Sequence, residues 1–592
     1  MSNIRRVTRL GAIAAVGALA LAACSSNTAT TPSTSASASA ATGYNAAVDN
    51  IVNPSTATGG TLKLAAQGDC DSWDPARTYY AYCWDLQRLF TRSLMGYAPL
   101  PGAKGTAVVP DLATAPGAAS AGNTVWTYHL QAGLKFQDGS TITTKDIKYG
   151  IQRLYASDII NGGPSQYYLC LLSTCDASGA PAYKGPYKDP TGDLPSIATP
   201  DDTTIVFTLN KAFGDFDYLM TLPSAAPVPK TADTGAKYTT AVVSSGPFEF
   251  KSYNPSTGVV WVRNPNWSQA TDTIRHPLVN EVDLQFVSDP AVSDKQLQAG
   301  TIDLEADGGV QATLMAQIDA SAALKVNSDN PTTGFTRYLA VMPSVIPNID
   351  CRKAIFLAIN KADLVKARGG SYGGDPATTM TPPTIPGYVA GYDPYPVGAD
   401  FTGDVAGAKA ALAKCGQPNG FSVNMAYVNK GRGPAVFLAV QQALARVGIK
   451  VVSSPGDSAT YYSNFIGSPS NIVAKKLGIA VAGWAADFPT GYGFWESIAD
   501  GTTILPNGNT NYPSLNDATI NGLLKGSTSA AVADQAGIFQ KVDHAVMDAA
   551  VYLPFQFDKS LYYRNARLTN IYLNGGVGNY YDYVNIGVGG GS

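Results

Sequence analysis

One arrangement of serine, histidine and acid in this chain has the spacing of nucleophilic chemistry. Gly369-Gly370-Ser371-Tyr372-Gly373 matches G-x-S-x-G, and Asp543-His544 lies downstream. A hydrolase elbow needs a strand delivering the serine and a helix carrying the chain away. The residues here predict the reverse, with a helix ending near Lys366 before the motif and Gly374-Asp375-Pro376 after it. Asp543 adjoins His544 on one predicted helix, where it cannot orient the imidazole as a triad acid does. A glycine-rich loop accounts for the motif better. Paired acids of the glycosidase kind leave no signature, because their separation is not encoded in spacing. The chain has no P-loop, no H-E-x-x-H, and no G-x-G-x-x-G between a strand and a helix. No catalytic residue is assigned.

The sulfur chemistry is more informative. There are seven cysteines and three scattered histidines, His129, His276 and His544, with no C-x-x-C pair, so neither a metal site nor a cofactor is implied. Cys24 stands apart, after Arg5, Arg6, Arg9 and a 13-residue apolar run from Leu10 to Ala22. That run is too short to span a bilayer but suits the core of an export signal. Leu21-Ala22-Ala23-Cys24 resembles the lipobox of bacterial lipoproteins, which implies acylation of Cys24 and cleavage before it. Arg5-Arg6 leaves both the general secretory and the twin-arginine route open. The expected location is the outer face of the cytoplasmic membrane, with the lipid as the sole membrane contact. Six cysteines then remain, and six allow 15 pairings. Spacing favours Cys70–Cys83 and Cys170–Cys175, leaving Cys351 for Cys415, as disulfides of an exported protein.

Composition narrows the partners. The 592 residues are 45% hydrophobic and 14% charged, too apolar for a disordered chain. Cleavage before Cys24 removes three of 41 basic residues and none of 44 acidic ones, moving the net charge from −3 to −6 and arguing against nucleic acid. From Ser25 to about Thr58 the chain is Ser, Thr, Ala, Pro and Asn, predicting a flexible linker over 24–58 behind the signal peptide 1–23.

The elements that follow predict an α/β body. Leu62 and Leu64 alternate with Lys63; Trp126, Tyr128 and Leu130 share one strand face, as do Ile205, Phe207 and Leu209. Thr144 and Asp146 open a helix reaching Arg153. Phe248–Tyr253 and Val259–Val262 read as a hairpin. Asp350 and Asp404 are predicted helix caps, and Pro434 opens a helix with Val436, Phe437, Val440 and Leu444 as its stripe.

These segments, in this order, resemble family 5 extracellular solute-binding proteins, the oligopeptide- and dipeptide-binding components of ABC importers. The resemblance is carried by PDLA at Pro110–Ala113, by WTYHLQAGLKFQDGSTITTKDIKYGIQRL at Trp126–Leu154 and by GPFEFKSYNPSTGVVWVRNPNW ending in Arg263-Asn264-Pro265. It continues through CRKAIFLAINKADLV, ALARVGIKVV, GWAADFPTGYGFW and TNYPSLNDATINGLL, covering nearly all of 59–592. It implies an α/β, two-lobed periplasmic-binding-protein-like fold of type II, with an extra inserted domain, closing over a ligand cleft. Lobe I maps to 59–103, 195–320 and 556–592, the inserted domain II to 104–194 and lobe III to 321–555. It also implies a monomeric binding protein, not an enzyme, that hands a short peptide to permease subunits. An aspartate in the family's Trp-x-x-Asp segment binds the ligand's amino group. Here that residue is Asp487, in Trp484-Ala485-Ala486-Asp487-Phe488-Pro489, although Thr490-Gly491-Tyr492 replaces the downstream Asp-Pro that is often seen. Trp484, Phe488 and Tyr492, with Phe494 and Trp495, form an aromatic group around it; Tyr79, Tyr80 and Tyr82 are a second candidate wall. Aromatic walls also suit an oligosaccharide, the rival ligand. A secreted serine hydrolase or glycosidase is the alternative from a different class.

Overall fold

The computed structural model describes residues 43–589 except 161–162, 177–178, 190–192, 459 and 531. Cys24 and the signal segment lie outside the described residues. Three sheets organise the chain. The first has five strands in the order Leu304–Glu305, Thr61–Ala66, Glu281–Phe286, Gly258–Arg263 and Phe248–Asn254. Thr61–Ala66 runs parallel to both neighbours, whereas the expected hairpin forms the antiparallel edge. Leu62 and Leu64 are fully buried, as their alternation with Lys63 demands.

The second sheet is antiparallel: Ala118–Ser120, Val125–His129, Thr204–Thr208 and Ile197–Ala198. Trp126 sits opposite Phe207 and Tyr128 opposite Ile205, so both predicted stripes meet on one buried face. Because Thr204–Thr208 pairs along the whole of Val125–His129, this layer runs past the boundary placed at 194. The helix Thr144–Arg153 opens on a capping box between Thr143 and Asp146, one residue earlier than the sequence suggested. Its last residue, Arg153, is buried and pairs with Asp74 at 2.6 Å, tying this layer to the segment that follows the first strand.

The third sheet has six strands in the order Gly374–Pro376, Tyr552–Lys559, Thr332–Val341, Leu477–Trp484, Ser422–Val428 and Lys450–Gly456. The last two are parallel and joined by the helix Gly433–Ala445, whose Val436, Phe437, Val440 and Leu444 are buried. The strand Tyr552–Lys559 runs through the 555/556 edge assigned to lobe III; pairing with Thr332–Val341 holds it in this sheet to its end. Chain passes between the first and third sheets twice, and at that crossing Ser328–Asp329 pairs antiparallel with Tyr562–Tyr563.

Two further expectations are corrected. Asn348, not Asp350, caps the helix Ile349–Ala358, because its side chain reaches the Asp350 amide at 2.9 Å. Residues 43–58, assigned to the linker on composition, are docked on the body. Ala46, Ala47 and Val52 are buried, the Ala47 amide donates to Asp329, and Val52 bridges to Ile571. Small residues with few charges are compatible with a coil, yet here they fit a groove beside the crossing strands. The structure contains the disulfides Cys70–Cys83, Cys170–Cys175 and Cys351–Cys415. Among the described residues, no helix is long and apolar enough to cross a membrane.

Candidate functional site

The segments converge on a cavity of about 630 Å³. Its walls come from 79–82, Trp84 and 575–580, from 333–335, 383–385 and 484–489, and from Ala103 and Thr106. Asp487 lies three residues beyond the end of the strand Leu477–Trp484, and its amide donates to the Gly493 carbonyl at 3.3 Å. Two phenols hold its carboxylate: Tyr79 donates to Oδ2 at 2.7 Å and Tyr167 donates to the same oxygen at 2.6 Å. Gln166 donates to the Tyr79 hydroxyl at 3.1 Å. The Tyr167 hydroxyl also lies 3.4 Å from Ser497 Oγ, which donates to the buried carboxylate of Glu496.

Among the described residues, neither acid of this network has an ion-pair partner. Burial raises Asp487 to about 6 even though both phenols favour its ionised form. Burial likewise lifts Glu496 to about 7, with Lys211 only partly offsetting it. Tyr79 and Tyr167 are pushed well above the usual phenol range by burial and by the Asp487 charge, so they remain donors. Among the described residues no cation forms an ion pair with Asp487, and its Oδ1 takes no side-chain donor. A buried carboxylate in that state gains most from a ligand that brings a positive charge.

A model of the bacterial extracellular solute-binding proteins, family 5 (middle region), matches residues 107–505. The chain belongs to this family. The solved structure of clavulanic acid biosynthesis oligopeptide binding protein 2 is 41% identical and covers 93% of this chain and 99% of its own, with a TM-score of 0.89. The probable D,D-dipeptide-binding periplasmic protein DdpA of Escherichia coli is 26% identical over 84% of this chain and 88% of its own. The periplasmic oligopeptide-binding protein OppA of Salmonella typhimurium is 26% identical over 44% of this chain and 47% of its own. For the first curated relatives matched, the similarity spans between about half and two thirds of their length, 47% to 65%. At 21% identity and a TM-score of 0.68, covering 87% of this chain and 95% of its own, DppA from Helicobacter pylori in complex with peptide STSA shares the fold. The α/β binding-protein fold expected from the motifs is therefore that of this family 5 protein.

The aromatic candidates separate once side chains are placed. Trp484 and Phe488 line the cavity; the Trp484 indole donates to the Phe494 carbonyl at 2.7 Å, and Phe488 meets Tyr167 edge-on at 5.4 Å. Tyr79 reaches the carboxylate, whereas Tyr80, 53% exposed and stacked on Tyr82, forms the rim. Tyr492 does not line the cavity. It lies in the helix Gly491–Ala499, buried on every side, and packs edge-on against Phe213 at 5.2 Å. Phe494 and Trp495 are fully buried in the same helix. Sequence reasoning missed Tyr167, Gln166, Trp84, Phe335 and Tyr580. Tyr167 comes from the second-sheet layer, and its only signal was a Tyr-Tyr pair beside Cys170.

The serine motif of this family 5 protein is not an elbow. Ser371 sits in the single turn Gly370–Gly373, after the helix Lys361–Ala367. Asp543 accepts from the Met380 amide and from Thr379, while the His544 ring stacks on Tyr392 at 3.9 Å. Among the described residues, no group of three His, Cys, Asp or Glu side chains could hold a metal.

Proposed function

We propose that this family 5 protein is the substrate-binding component of an ABC importer and encloses a short peptide with its amino end on Asp487. The observation that carries the reading is a carboxylate with no ion-pair partner among the described residues, clamped on one oxygen by Tyr79 and Tyr167 and facing a cavity of about 630 Å³. An ammonium group in that cavity restores charge balance where water is largely excluded, so its hydrogen bonds are strong. Trp484, Phe488 and the Tyr80 rim accept side chains of varied identity by apolar contact. Printed names and contents of relatives, oligopeptide-binding, D,D-dipeptide-binding and a complex with peptide STSA, support the class of ligand.

In this reading the first sheet with the C-terminal segment is one lobe, the third sheet is the other, and the second sheet is the inserted domain. Closure turns about the paired crossing segments 328–329 and 562–563. A ligand favours the closed form by its excess affinity for that form. Permease subunits then read the closed shape, and ATP is hydrolysed elsewhere. The chain acts as a monomer without catalysis, exported and tethered through acylated Cys24 to the outer face of the cytoplasmic membrane. Calorimetry with di- to pentapeptides, set against cello- and xylo-oligosaccharides, tests the ligand. Peptides are expected to bind and Asp487→Ala to abolish most of that affinity. Binding of oligosaccharides alone, or peptide affinity unchanged in Asp487→Ala, would defeat the proposal.

A further inference from the structure

Tyr79 supplies one of the two hydroxyls on Asp487, yet no strand or helix spans it. Between the strand Thr61–Ala66 and the helix Ala81–Gln87 the chain forms turns only, and Tyr79 lies near the end of that stretch. Such a segment, left free, samples many conformations. Holding one hydroxyl at 2.7 Å from a carboxylate 408 residues away costs that freedom. The first half of the stretch is anchored to the body, since Trp73 is fully buried and Asp74 is paired with Arg153. The second half, which carries the phenol, has to be fixed relative to that anchor.

Three local restraints fix it. The buried bond Cys70–Cys83 closes residues 71–82 into a loop that contains Tyr79, Tyr80 and Tyr82. Asp71, the first residue of that loop, accepts from the Tyr79 amide at 2.8 Å and from the Thr78 hydroxyl at 3.4 Å. Trp84, next to Cys83, donates through its indole to the Thr78 carbonyl at 2.9 Å, and its ring meets that of Tyr79 at 5.6 Å. Both ends of the loop therefore grip the chain at 78–79, and the sulfur bridge ties those ends together. Closing a loop in advance removes conformations that would compete with the productive one. The other two bridges enclose neither phenol: Cys170–Cys175 begins after Tyr167, and Cys351–Cys415 joins the helix Ile349–Ala358 to the end of the helix Val405–Lys414.

We propose that Cys70 and Cys83, with Asp71, are positioning residues of the binding site: the bridged loop presets Tyr79 so that its hydroxyl meets Asp487. The inference deepens the peptide reading and rests on it in one respect, that peptide affinity follows this clamp. The Asp487 carboxyl itself reports whether the clamp is in place, because a phenol donor favours its ionised form. The other titratable groups that act on it are Tyr167, Tyr97 and Glu496, which stay unchanged in every variant below.

Denaturant unfolding of the full chain, without peptide and from about pH 4 to 8, is compared with that of its Asp487→Asn counterpart; the pH dependence of the difference gives the midpoint of the carboxyl. The comparison is made in the wild type, in Tyr79→Phe, in Cys70→Ser with Cys83→Ser, and in all three changes combined. Tyr79→Phe is expected to raise the midpoint by about one pH unit. Loss of the bridge should raise it by a similar amount, and the combination should raise it no further, because both remove the same hydrogen bond. Cys351→Ser with Cys415→Ser should lower stability and leave the midpoint in place. If the chain without Cys70–Cys83 fails to fold, Asp71→Ala, which keeps the bridge and removes the acceptor for the Tyr79 amide, takes its place with the same expectation. A midpoint that stays put in the folded variant, or a Tyr79→Phe shift that adds to it in full, overturns the proposal. Calorimetry with trialanine separates the two readings. If the midpoint moves as expected and trialanine does not bind, the positioning role stands and the peptide reading fails. If trialanine binds through Asp487 and the midpoint stays put, the peptide reading stands and the positioning role fails.

Discussion

Replacing Asp487 by Asn should weaken ligand binding and stabilise the empty protein at the same time. The carboxyl titrates at about 6 in the folded chain, against an ordinary value of 3.8. The sign follows from proton counting. Between roughly pH 4 and 6 the folded form holds a proton that the unfolded form has released, so stability of the empty protein falls as pH rises through that window. Above it the penalty is constant, and two units correspond to about 3 kcal/mol as an upper figure. Asp487→Asn removes that penalty while leaving an amide oxygen for the Tyr79 and Tyr167 hydroxyls. The empty variant should therefore unfold about 1–3 kcal/mol later than wild type at pH 7 in a denaturant titration, with the difference vanishing near pH 4. Binding moves the other way. A charge-assisted hydrogen bond is worth about 1.5–3 kcal/mol, so affinity for a free-amine tripeptide should drop roughly 10- to 100-fold at pH 7. In the wild type, lowering pH from 7 to 5 cuts the ionised fraction, and hence the affinity, about tenfold. The variant should show no such slope. Calorimetry across this range, beside the unfolding series, is the assay. An Asn variant that keeps the acid-side loss of affinity, or one less stable than wild type at pH 7, would refute the reasoning.

Tyr167→Phe removes a donor that favours the ionised carboxylate. The midpoint of the binding profile should move up by about one pH unit, a shift that a purely steric role would not produce. Arg153→Met leaves the Asp74 carboxylate buried without its partner; a loss of about 3–5 kcal/mol is expected in urea melts. The double change Cys351→Ser with Cys415→Ser opens a loop of 64 residues. It should lower stability by about 4 kcal/mol under oxidising conditions and leave the wild type and variant alike after reduction of that bond.

Legibility from sequence varied with the range of the interaction. Strand alternation at Leu62/Leu64, Trp126/Tyr128 and Ile205/Phe207 reads directly as burial, since period-two patterning faces one side of a sheet. The apolar stripe Val436–Leu444 reads as a helix face for the same local reason. Caps were mixed: Asp404 caps Val405–Lys414 as expected, whereas Asn348 serves where Asp350 was expected and Thr143 precedes the expected opening at Thr144, because several residues near each helix start have capping side chains. Residues 43–58 show composition failing outright, since Ala46, Ala47 and Val52 carry no pattern that distinguishes a docked strap from a coil.

What the amino-acid sequence determined by itself is the family, the order of elements, and the absence of a local strand–serine–helix unit around Ser371. All of these depend on neighbours in the chain or on ordered motifs. Only the tertiary structure decided which groups meet Asp487: Tyr79 is 408 residues away and Tyr167 is 320 away. It also turned Tyr492, four residues after Phe488, into the core while leaving Phe488 on the cavity wall. It brought Arg337 and Arg368 onto one carboxylate, Asp558. The physical reason is that periodicity reports whether a side chain is buried, whereas its partner is chosen by sheet order and packing between segments hundreds of residues apart.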